Sequence, residues 1–180
     1  MMAVIIDDGV SNVAEHFQAT WFVDADFSVK SYAVSGNNHD SHADTCFKII
    51  SKYSDSLHKN ICWHSIKILD TQSRRGNINS FLSALNFSMK LGVKLIHLSI
   101  GTTYFMDFEC VKDVVTTLVN NGVIIVAALS NAGIITYPAS MERVIGVKQH
   151  RTLREGEYFY VSVPINSVKF AASSDRKSVV

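Results

Sequence analysis

Short apolar runs that alternate with amphipathic helical segments predict an α/β chain built on a doubly wound, mostly parallel sheet. Three observations carry that expectation. The runs Ala3 to Ile6, Ile66 to Leu69, Val93 to Ser99, Val123 to Ala128 and Val144 to Val147 are continuous and rich in β-branched residues, the pattern of strands covered on both faces. Between them, apolar residues recur at three and four positions, the spacing of one helix face. The order strand, helix, strand, helix, strand then implies right-handed crossovers, with functional groups collecting at the carboxyl ends of the strands.

The first run, Val4-Ile5-Ile6, ends in Asp7-Asp8-Gly9. A carboxylate at a strand end can orient an imidazole, or it can cap the following turn. His39-Asp40-Ser41-His42-Ala43-Asp44 is a polar loop running into Phe47, Ile49 and Ile50, so His42 is expected at the start of a helix. An imidazole there can face a cleft and act as a general base when a carboxylate fixes its tautomer. Ile78, Phe81, Leu82, Leu85 and Met89 define a further helix, with Asn77 or Asn79 to cap it and Gly92 to close it. Val111, Val114, Val115 and Leu118 define another that ends before Gly122.

The 180 residues are 47% hydrophobic, enough for one substantial core, and no low-complexity linker divides them, so a single domain over 1–180 is expected. A net charge of +1 without a basic or acidic block argues against nucleic-acid and membrane-surface partners. Cys46, Cys62 and Cys110 are odd in number and widely spaced, which points away from a disulfide framework or zinc ribbon and towards a reducing compartment. The N-terminal residues lack a leader pattern, and a soluble, cytoplasmic protein is expected.

From Asp7 onward the motifs resemble, in order, those of the subtilisin-like serine peptidases. Asp7-Asp8-Gly9 is similar to the family's Asp segment. His42, with Thr45-Cys46 and Ile49-Ile50 behind it, is similar to the His segment, although Ala43 and Asp44 replace its Gly-Thr. Leu98-Ser99-Ile100-Gly101 resembles the strand end whose edge pairs with an extended substrate, and Ala127-Ala128-Leu129-Ser130-Asn131, followed by Tyr137-Pro138-Ala139, resembles the oxyanion segment. The resemblance implies peptide-bond hydrolysis by acyl transfer without metal or cofactor. His42 would be the base, Asp7 its orienting group and Asn131 the oxyanion donor. Ser99, Ile100, Gly101, Ala127 and Ala128 would bind a peptide or protein substrate.

The family's nucleophile is the Ser of a Gly-Thr-Ser sequence, and none follows Asn131. Ser162, Ser167, Ser173, Ser174 and Ser178 lack the glycine turn and helix start that would present a hydroxyl to His42. An incomplete peptidase domain is therefore expected, with its C-terminal part, serine segment included, either truncated or supplied by a complementing chain. A non-catalytic pseudopeptidase that binds peptides is the alternative. Asp44 is expected to raise the His42 pKa and compete for its orientation, and Leu129 and Ser130 to reshape the substrate pocket. Cys46, one turn past His42, is expected to be a structural thiol aimed away from the cleft, and His64 and His97 to be core or edge residues. A different class, a metal-dependent hydrolase, would use Asp7, Asp8, His39, Asp40, His42 and Asp44.

Overall fold

The computed structural model describes residues 1–36, 39–54, 60–70, 73, 75–161 and 168–173. Nine strands form one sheet: β1 (Met2–Asp7), β2 (Phe17–Val23), β3 (Val29–Ser31), β4 (Cys62–Lys67), β5 (Leu95–Leu98), β6 (Ile124–Ala128), β7 (Ile145–His150), β8 (Tyr158–Tyr160) and β9 (Val168–Ser173). Their spatial order is β3-β2-β4-β1-β5-β6-β7-β9-β8. Every pairing is parallel except β2 with β3 and β8 with β9 at the two ends. Among the described residues three α-helices, α1 (His42–Tyr53), α2 (Ile78–Leu91) and α3 (Phe108–Asn120), cover the faces.

The chain leaves β1 on one side to build β4 and on the other to build β5, so β1 is the point at which the strand order reverses. In an open α/β sheet the crevice forms at the carboxyl end of such a strand, and Asp7 is the last residue of β1. Alternation decides which way it faces. Val4 and Ile6 enter the large core with Phe81, Leu85, Val111 and Leu118 of α2 and α3. Ala3 and Ile5 face the other way, into a smaller core with Ala43 and Phe47 of α1 and with Trp63. Asp7, two residues past Ile5, therefore points to the α1 side, and on β5 the same alternation sends His97 and then Ser99 to that side.

Helix boundaries follow local chemistry. The Asn77 side chain accepts from the Asn79 amide at 2.8 Å, and Gly92 closes α2 at φ 73°, a left-handed conformation that glycine adopts without a Cβ penalty. The β4 expectation was displaced: the strand runs from Cys62 to Lys67, with His64 and Ser65 buried in its centre, polar residues that break an apolar run without breaking the ladder. Strands β2, β3 and β8 were not anticipated. Phe47 sits in an aromatic nest, with ring centroids 4.9 Å from Phe17, 5.7 Å from Trp63 and 5.5 Å from His16.

Candidate active site

Asp7 and His42 meet at the carboxyl end of β1. His42 Nδ1 lies 2.8 Å from Asp7 Oδ2, and the Asp8 amide donates to Asp7 Oδ1, also at 2.8 Å. With both oxygens engaged, the buried carboxylate has one orientation. The His42 side chain is 41% exposed, so its far edge looks into the cleft.

Asp8 does a different job that the sequence did not reveal. Its two oxygens accept from the His42 and Ala43 amides at 3.0 Å each, capping α1 from another strand end. This clamp fixes where α1 begins relative to β1 and hence where the His42 ring hangs. Asp44 does not compete for His42, contrary to expectation. It completes a capping box with Ser41, and its oxygens also accept from the Ser11 hydroxyl at 2.5 Å and from the Ser11 and Asn12 amides at 2.9 and 3.0 Å. Burial pushes its pKa up, but these hydrogen bonds outweigh burial and hold it at about 2.

Cys46 is the structural thiol expected, outside the cleft lining, but its neighbours were not foreseen. Residues four apart on a helix share a face, and the Cys46 sulfur lies under the dyad, 3.3 Å from Ser99 Oγ. Ser99 Oγ in turn lies 3.0 Å from His97 Nε2. Burial pushes the Cys46 thiol up to about 11, against the opposing hydrogen bond to Ser99; a protonated thiol is a poor nucleophile and a poor metal ligand. Burial likewise pushes His97 down to about 4. Ligand atoms of Asp7, His42 and Cys46 lie within 4.8 Å of one another, yet the metal-hydrolase set is not what the fold gathers. Asp8 and Asp44 are spent on backbone amides, and Asp40 pairs with Lys48 and Asn12. His64 is buried against Trp21, away from the cleft lining.

The cleft has a volume of about 780 Å³, and its lining includes His42, Ser99, Ile100 and Gly101 just past β5, Ala128, Leu129, Ser130 and Asn131 at the end of β6, and Thr136. Ala127 is a correction: it is 1% exposed and faces the large core, because alternation along β6 points Ile125 and Ala127 inward. The Asn131 side chain makes no hydrogen bond among the described residues. Ser173 ends β9, four strands from β1, which at about 4.8 Å per strand is roughly 19 Å away. Ser162, Ser167, Ser174 and Ser178 lie outside the described residues.

No family model matches the chain. Among curated proteins it is similar to the minor extracellular protease Epr of Bacillus subtilis (strain 168), with 26% identity over 176 residues, covering 93% of this chain and 26% of that protein. The chain thus spans about a quarter of the length of the curated relative it matches. Among solved structures it resembles the prenylagaramide maturation protease PagA (TM-score 0.60, 16% identity, 84% of this chain and 54% of that one). It also resembles a lanthipeptide protease (0.62, 14%, 82% and 47%) and the psychrophilic subtilisin-like protease Apa1 from Pseudoalteromonas sp. AS-11 (0.62, 22%, 82% and 36%). At such identities the structural matches establish a shared fold.

Proposed function

From the premise that this chain is a subtilase-type domain, in fold and in sequence similarity, we propose that it supplies the base and oxyanion sides of a serine endopeptidase site. The observation that carries the reading is the 2.8 Å contact between His42 Nδ1 and a buried, doubly engaged Asp7. Held by Nδ1, the ring presents Nε2 to the cleft as the proton acceptor. Asn131, with its amide uncommitted, donates to the oxyanion that forms on the attacked carbonyl. The cleft-lining segment Ser99 to Gly101 pairs with an extended peptide by β-augmentation.

The nucleophilic serine comes from a segment outside these 180 residues, on the same polypeptide or on a complementing chain. Atoms balance without a cofactor: the serine oxygen attacks the carbonyl, its proton passes to His42, and His42 returns it to the departing amine; water then attacks the acyl-serine ester, its proton passing through His42 to the released serine and its hydroxyl staying on the new carboxyl group. All three cysteines are unpaired, which supports a reducing, cytoplasmic setting.

Fluorophosphonates label a serine only when a base activates it. The test is labelling of the affinity-purified chain together with everything joined or bound to it, with the adduct located by mass spectrometry. We expect one adduct, on a serine outside residues 1–180, that disappears in His42→Ala. An adduct within 1–180 would overturn the assignment of the nucleophile. Absence of any His42-dependent adduct would favour the non-catalytic peptide-binding alternative.

A further inference from the structure

Among the described residues lining the cleft, Asp107 is the one carboxylate, and no lysine or arginine accompanies it. We propose that Asp107 selects peptides that place a lysine or arginine side chain in this cleft. The inference rests on the peptide-cleft reading above and adds a substrate class to it.

The local geometry shows a carboxylate aimed at a ligand in preference to its own helix. Asp107 is the N-cap of α3, a position at which aspartate ordinarily accepts from the first-turn amides. Here its side chain makes no cap hydrogen bond. It turns back to the loop behind it, where Oδ2 accepts from the Thr102 hydroxyl. Thr102 Oγ1 also accepts from the Tyr104 amide at 3.1 Å, so the hydroxyl is held on both sides. Thr102 is itself anchored across the cleft floor by paired backbone bonds with Tyr137 of 2.9 and 2.8 Å.

The carboxylate is therefore preorganised, and Oδ1 has no partner among the described residues. No ion pair neutralises it there either. A half-buried, unneutralised anion in a peptide cleft favours a cation and disfavours an acidic side chain. Tyr104, in the same wall and 76% exposed, offers an aromatic face against which a guanidinium or the stem of a lysine can lie.

The experiment uses fluorescein-labelled alanine hexapeptides in which one position in turn carries lysine, norleucine or glutamate. Their binding to the 180-residue chain is followed by fluorescence anisotropy at low salt. At one position lysine is expected to bind about fivefold tighter than norleucine, the scale of a partly exposed charge pair, and glutamate weaker than either. Asp107→Asn should bring lysine and norleucine peptides to equal affinity, and Asp107→Lys should transfer the preference to glutamate. A lysine preference that survives Asp107→Asn, or norleucine peptides that bind as well as lysine ones at every position, would overturn the proposal while leaving the peptide cleft standing. Failure of every peptide to bind would overturn both.

Discussion

Behind His42, and outside the cleft lining itself, Asp7, Asp8 and Asp44 are all buried, and each spends its oxygens on backbone amides, a hydroxyl or the His42 ring. Across the cleft, residues 131–135 are exposed. That turn is tied down by a few contacts, chiefly the Ser130 amide to Thr136 Oγ1 at 3.0 Å and the Gly133 amide to the Ser130 carbonyl at 2.9 Å. On the proposed reading, the side that would aim a proton acceptor is fixed by folding. The side that would accept differing substrates, and donate to a charge that appears only during reaction, is left adjustable.

Substitutions should expose this difference. The largest loss is expected for Phe47→Ala, which empties the aromatic nest behind α1 and should cost about 3–5 kcal/mol in chemical denaturation. Asp44→Ala should follow at about 2–3 kcal/mol, since it strands the amides of Ser11 and Asn12. Asp8→Ala removes an inter-element cap and should cost about 1–2 kcal/mol, while also loosening the His42 ring in its NMR line shape. Asn131→Ala should leave stability within about 0.5 kcal/mol, yet lower turnover of the completed enzyme by about 10² to 10³. A loss of stability at Asn131 comparable to that at Asp8 would erase the contrast.

Acid should act on the fixed wall in two windows. His97 is held at about 4 against an ordinary 6.5. The unfolded chain therefore takes up a proton that the folded imidazole refuses, and stability falls as pH drops from 6.5 to about 4. Asp44 is held at about 2 against 3.8, so the stability it contributes is complete above pH 4 and is lost as pH falls towards 2. Melting temperatures across pH should lose the upper slope in His97→Gln and the lower slope in Asp44→Asn.

Much of this was legible in the sequence where a local pattern carried it. Helix α2 was marked by its period, by Asn77 and by Gly92, and β1, β5, β6 and β7 by their continuous apolar runs. Asp7 and His42 were legible because one ends a strand and the other starts a helix. What escaped depends on contacts between distant segments. Asp8 caps a helix 34 residues away, and nothing near it in sequence says so. The pairing of Cys46 with Ser99 spans 53 residues, although the four-residue step from His42 to Cys46 and the two-residue step from His97 to Ser99 each placed their pair on one face. Asp44 was misjudged because its partners, Ser11 and Asn12, come from a turn with no distinctive signature.

The most direct measurement of the preformed base is the proton NMR spectrum of the chain in the far-downfield region, compared with Asp7→Asn. The account predicts a slowly exchanging His42 Nδ1 proton, shifted downfield by its bond to the Asp7 carboxylate and absent from the variant. A His42 ring that shows no such proton at any pH, and that is as mobile as an exposed side chain, would contradict it.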